Sequence, residues 1–128
     1  MGFRKERYSF TRNREGYREI FQFQGDKWNT ASEEPSHCFL NVGVVFTDIG
    51  EAQSWEYIPK THWARRPSLL SDELPSYFAY GATVNGELQA GEIARVIERT
   101  SEIVGSMIDE LRQECLDKEA RWQERMDA

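Results

Sequence analysis

Polar and apolar positions alternate almost from the start of the chain. Tyr8-Ser9-Phe10-Thr11-Arg12 places an aromatic at every second position before Arg12, Asn13-Arg14-Glu15-Gly16 supplies turn formers, and Tyr17 to Gln24 resumes the alternation. A period of two belongs to extended chain, whose side chains leave opposite faces in turn, so this stretch predicts an antiparallel hairpin. In its second strand Tyr17, Glu19, Phe21 and Phe23 share one face, and Arg18, Ile20, Gln22 and Gln24 share the other. The aromatic face is the one expected to be buried. From Gly25 to Ser36 the sequence is polar and rich in breakers, which predicts a loop of about ten residues anchored by Trp28. His37 to Thr47 is the longest strand candidate, with Cys38, Leu40, Val42, Val44 and Phe46 on one face and His37, Phe39, Asn41, Gly43 and Val45 on the other. Such near-continuous apolarity suits a central strand.

Asp48 to Pro75 has no clean period, and Pro59, Pro67 and Pro75 interrupt it; loops with short helical turns are expected there. Ser76 to Tyr80 reads as a last, edge strand. From Glu92 to about Arg125 the apolar residues Ile93, Val96, Ile97, Ile103, Val104, Met107, Ile108, Leu111, Cys115 and Leu116 recur at three and four, the spacing of one helical face. A straight helix of that span is about 50 Å long, whereas a compact domain of this size has a radius of gyration near 14 Å, so the helix must bend or overhang. Gly105-Ser106 is the natural place for a kink. The pattern predicts an α+β fold: an antiparallel sheet of three to five strands covered by a long C-terminal helix, in a single domain over residues 1–128.

A chain of 128 residues can bury one core without disulfides or metals. Cys38 and Cys115 fall on the strand and the helix, outside any Cys-x-x-Cys or Cys/His spacing, so buried free thiols are expected, with a Cys38–Cys115 bridge as the alternative. No cofactor or metal is implied. The N-terminus lacks the apolar run of a secretory signal, and no apolar run approaches the roughly 18 residues a membrane span needs; a cytoplasmic protein without membrane contact is the expectation. Charge is uneven. Residues 1–28 carry seven basic and four acidic side chains, a net of +3, while the remaining hundred carry a net of −9, giving −6 in all. Nucleic acid demands a basic footprint, so this acidity disfavours it and favours basic protein surfaces.

Candidate chemistry is sparse, and each candidate has a structural reading beside it. His62, in Thr61-His62-Trp63-Ala64-Arg65-Arg66, is a possible general base but also an ordinary structural histidine. Asp26 and Lys27, with Glu19 upstream, resemble the carboxylate and lysine set of metal-dependent nucleases, although Glu19 shares a face with core aromatics. Lys27, Trp28, Trp63, Arg65 and Arg66 could form a stacking and phosphate-binding surface for single strands; alternatively the two tryptophans close the ends of the sheet with cation–π support. Gln22 and Asn41 predict either an amide ladder between neighbouring strands or, with Arg18, a recognition surface. The Glu- and Arg-rich face of the helix is ordinarily a solvated one; from Glu92 to Ala128 it carries a net of −4, which could also serve as a docking strip.

Gly2-Phe3-Arg4-Lys5, Tyr8-Ser9-Phe10-Thr11-Arg12, Phe23-Gln24-Gly25-Asp26-Lys27-Trp28, Phe39-Leu40-Asn41-Val42-Gly43-Val44 and His62-Trp63-Ala64-Arg65-Arg66 together resemble a widespread bacterial family, number 4304 among the domains of unknown function. The order and spacing match over residues 2 to 70. The chain departs from the pattern at Gly25-Asp26, where a Lys-Ser pair is common, and begins at the Gly-Phe step that a helix usually precedes. The resemblance implies an α+β fold with an antiparallel sheet and helices on one face, and it carries no established activity. Small acidic domains of this kind are similar in character to immunity proteins. The reading is therefore a non-catalytic binding module that neutralises a toxin or another basic partner protein, with Lys27, Trp28, His62, Trp63, Arg65 and Arg66 as contact residues. The alternatives are an enzyme or nuclease-like protein using His62, Asp26 and Lys27, and a nucleic-acid-binding domain.

Overall fold

The structure is a computed structural model that describes residues 4–6, 9–25, 36–50, 58, 60–80 and 85–127. Its strands are β1 (Arg4–Glu6), β2 (Ser9–Arg14), β3 (Tyr17–Gly25), β4 (Ser36–Phe46), β5 (Trp63–Arg65) and β6 (Tyr77–Tyr80), followed by the helix α1 (Gly86–Asp127). All six strands join one antiparallel sheet. The order is β1-β2-β3-β4, and the remaining side of β4 is shared by β5 along Val42–Val44 and by β6 along Ser36–Phe39. The fold is α+β, as the hydrophobic pattern predicts.

Local chemistry explains the tight turn between β2 and β3. Only Glu15 and Gly16 separate the strands, and Gly16 adopts a φ of 84°, a left-handed conformation open to glycine at no steric cost. Register then follows: Arg14 faces Tyr17, Arg12 faces Glu19, and Phe10 faces Phe21. The next pairing sets Phe21 against Val42 and Gln22 against Asn41. As β4 is the longest strand and is paired on both sides, its inner positions Leu40, Val42 and Val44 are completely buried.

Tyr17, Phe21, Leu40, Val42, Val44 and Phe46 meet Val96, Val104, Leu111 and Cys115 of α1, and Trp63, Leu74 and Phe78 complete this cluster. Each large side chain removed from water here contributes roughly 1.5–3 kcal/mol before entropy is counted. The opposite face of the sheet is closed at Gly43 by Ile58 and Thr61, where a Cβ would stand 3.0 Å from Thr61 Cγ2 and 3.1 Å from Ile58 Cδ1. Side-chain absence, not backbone freedom, is what glycine provides there.

The helix begins earlier than periodicity predicts. Asn85 caps it, its Oδ1 accepting from the amides of Glu87 (3.1 Å) and Leu88 (3.2 Å). With 42 residues it extends for about 63 Å. Its last buried residue is Cys115, and every residue from Ala120 to Asp127 is exposed, so the terminal turns overhang the sheet. No described helix is long and apolar enough to cross a membrane. Both cysteines are free, Cys115 buried and Cys38 half-buried, and burial pushes both thiols above their ordinary pKa.

Candidate functional site

The register that sets Arg12 against Glu19 creates a charged centre inside the molecule. Glu19 lies on the inner face among aromatics and is fully buried. A carboxylate taken out of water must be paired and hydrogen-bonded. Arg12 Nη2 donates to Glu19 Oε1 at 3.0 Å, and the Ser101 hydroxyl of α1, which donates to the same carboxylate, lies 2.9 Å from each of its oxygens. The same hydroxyl oxygen accepts from Arg12 Nη2 at 2.6 Å and from Arg14 Nη2 at 2.9 Å. Arg12 Nη1 reaches Glu98 at 3.4 Å. Hairpin and helix are thus joined by a compact polar knot.

Beside this knot lies an open cleft of about 460 Å³, lined by Arg14, Glu15 and Tyr17 from the hairpin and by Glu98, Ser101, Glu102, Gly105 and Ile108 from α1. Helical periodicity brings Glu98, Ser101, Glu102 and Gly105 to one side of α1. Tyr17 is only 8% exposed, and its hydroxyl stands 3.7 Å from the position of a Cβ on Gly105. That hydroxyl makes no hydrogen bond among the described residues. Burial, and then the charge of Glu19, hold the phenol above its ordinary pKa, against the lowering influence of Arg14 and Arg12. The group therefore remains an O–H donor.

The residues singled out by sequence are distributed differently. Asp26, Lys27 and Trp28 lie outside the described residues. His62 bridges two main-chain groups: Nδ1 accepts from the Phe46 amide at 2.9 Å, and Nε2 faces the Gly50 carbonyl at 2.8 Å. An amide can only donate and a carbonyl only accept, which assigns the neutral Nε2–H tautomer. Trp63 is 6% exposed and packs in the core opposite Val44. Arg65 lies with its Cζ 5.7 Å from the Trp63 ring centre, the cation–π arrangement. Arg66 instead reaches the other side of the sheet, where its Cζ is 3.9 Å from the Phe39 ring centre and its Nε donates to Asn41 Oδ1 at 3.4 Å. Asn41 Nδ2 in turn donates to Gln24 Oε1 at 3.2 Å, so the amide bridge is diagonal although Gln22 is the residue directly opposite. Phe39 also meets Tyr77, on which His37 stacks at 4.6 Å. The structure does not gather His62, Trp63, Arg65 and Arg66 into one surface.

Sequence reasoning did not find the Arg12–Glu19–Ser101 knot or its cleft. One signal was present: an acidic residue on an aromatic face, opposite an arginine once the turn is narrowed to Glu15-Gly16. Nothing in the sequence placed Ser101 and Gly105 against that hairpin. Among the described residues no group of three His, Cys, Asp or Glu side chains could hold a metal ion.

Fold and site together define an α+β domain in which a six-stranded antiparallel sheet carries one long helix, with a polar cleft open between the hairpin and that helix. The chain belongs to the family described as a domain of unknown function (DUF4304), whose sequence model matches residues 1–79. That match covers the strands as far as Ala79 in β6 and stops before α1. No curated protein and no solved structure matches the chain.

Proposed function

We propose that this chain is a non-catalytic binding module that recognises a protein partner of basic surface in the cytoplasm, as an immunity protein recognises and neutralises a bacterial toxin. The observation that carries this reading is the outer side of α1. From Glu92 to Ala128 the sequence holds ten acidic and six basic residues, and on the overhang Trp122 and Met126 are 43% and 63% exposed. Acidic side chains steer a basic partner into encounter, and exposed aromatic and thioether groups supply contact area once it arrives.

The reactive side chains support the same reading. His62 has both ring nitrogens engaged with the main chain, and the Ser101 hydroxyl is held by Glu19, Arg12 and Arg14. A general base needs an available lone pair, and a nucleophile needs an open approach. Two free thiols suit a reducing compartment.

Affinity capture from the native host tests the reading, comparing the wild-type chain with a variant carrying Glu110→Lys, Glu114→Lys and Asp117→Lys on the exposed helix face. The expected result is one stoichiometric protein of basic isoelectric point, released by salt and lost with the variant, whose toxicity on expression is relieved by the wild-type chain. Retention of nucleic acid in place of protein, or equal capture by the variant, overturns it.

A further inference from the structure

The cleft between the β2–β3 turn and α1 has three properties that together specify a ligand. Three carboxylates, Glu15, Glu98 and Glu102, line it beside one lining guanidinium, that of Arg14, which is already bonded to Ser101. Arg12 reaches Glu98 Oε1 at 3.4 Å and Arg99 donates to Glu102 Oε2 at 2.9 Å, so each of these two carboxylates is engaged through one oxygen and keeps its second without a hydrogen bond among the described residues. It contains a nearly buried phenol, Tyr17, whose hydroxyl makes no hydrogen bond among the described residues and meets the bare helix surface at Gly105. Its apolar lining is the Ile108 side chain with the Tyr17 ring.

Gly105 strengthens the case. A glycine inside a helix costs about 1 kcal/mol relative to alanine. Packing does not demand it, because a Cβ at this position would meet only the Tyr17 hydroxyl, at the ordinary contact distance of 3.7 Å. What the missing side chain does is leave the approach to Tyr17 open.

An anion entering this space would meet Glu15 and the remaining oxygens of Glu98 and Glu102, whereas a guanidinium finds in those oxygens planar acceptors for its N–H groups, and in Ile108 and the Tyr17 ring an apolar wall for its methylenes. A volume of about 460 Å³ is ample for one side chain. We propose that the cleft receives an arginine side chain of the basic partner protein, with Glu98 Oε2, Glu102 Oε1 and the Tyr17 hydroxyl oxygen accepting from its guanidinium. This rests on the binding reading above and assigns that partner a specific anchor.

The test is an NMR titration of the full chain with acetyl-Gly-Arg-Gly-amide and, in parallel, with the same peptide carrying citrulline, the neutral isostere of arginine. Saturable shifts centred on the Gly105 amide and the Tyr17 ring are expected with the arginine peptide, at least tenfold weaker binding with citrulline, and a similar loss in the Glu98→Gln/Glu102→Gln variant. Gly105→Leu, which fills the cleft, should abolish the shifts while leaving the far-ultraviolet circular dichroism unchanged. Absence of saturable shifts, equal response to citrulline, or undiminished binding by Gly105→Leu overturns the assignment. Capture of a basic partner by the wild-type chain and by Gly105→Leu alike would sink the cleft and leave the binding module standing. Arginine-specific shifts without any captured protein would do the reverse.

Discussion

The Ser101 hydroxyl stands 2.9 Å from both carboxylate oxygens of Glu19, a residue 82 positions earlier in the chain. This contact ties the middle of α1 to the β2–β3 hairpin through a buried charge. Removing Ser101 leaves that carboxylate short of a donor, and Arg12 and Arg14 short of an acceptor. Ser101→Ala should destabilise the protein by about 1–3 kcal/mol in chemical denaturation. Glu19→Gln should cost more, about 3–5 kcal/mol, because it removes the buried negative charge that compensates the Arg12 guanidinium at 3.0 Å. The double variant Arg12→Met/Glu19→Leu should be closer to wild type than Glu19→Gln alone. A double variant less stable than Glu19→Gln would refute the account of the pair.

His62 acts as a two-ended clip between Phe46 and Gly50. Nitrogen-15 NMR of the imidazole at neutral pH should show the proton on Nε2 and a bare Nδ1. His62→Ala should destabilise by about 1–3 kcal/mol, since it leaves the Phe46 amide without its acceptor. Observation of the Nδ1–H tautomer would invert the donor and acceptor roles assigned here.

Thr100 is completely buried on α1, and its Oγ1 has no hydrogen-bond partner among the described residues. A buried hydroxyl without a partner is a desolvation cost that valine, of nearly the same shape, does not carry. Thr100→Val should therefore stabilise the protein by about 1 kcal/mol, read as a higher denaturation midpoint at unchanged slope. A fall in the midpoint would show that the hydroxyl is satisfied.

Asp48 is held below its ordinary carboxylate pKa, first by the hydrogen bond from Arg112 of α1. A folded-state pKa below the unfolded value contributes stability that is present above the unfolded pKa, 3.8, and is lost as pH falls through the folded value. The contact is solvent-exposed, so the contribution is small and weakens with salt. NMR titration should show Asp48 ionising at lower pH than an ordinary aspartate, and Arg112→Ala should move it upward. An unchanged titration in Arg112→Ala would mean that another group depresses it.

The strands of the hairpin, the central strand and the helix were legible because each carries its own period: two in Tyr17–Phe23, near-continuous apolarity in Leu40–Phe46, and three-and-four in Val96–Cys115. The inner face of β3 was legible for the same reason. The strands β1 and β5 were not, since three residues hold no period and their conformation depends on the neighbour they pair with. His62 was ambiguous in sequence because a histidine's role is set by what its two nitrogens meet, and both partners are main-chain groups elsewhere in the chain.

What the sequence by itself determined, then, is which side chains turn inward on each element and that one long helix must cover the sheet. Hydrophobic periodicity is a local property, written in neighbouring residues. Where α1 crosses the hairpin was decided only in three dimensions. That crossing depends on the packing of Val96, Val104 and Leu111 against the whole sheet, and it brings Ser101 to Glu19 and Gly105 to Tyr17. Contacts between residues more than 80 positions apart have no periodicity along the chain, and the cleft they enclose exists only once both elements are docked.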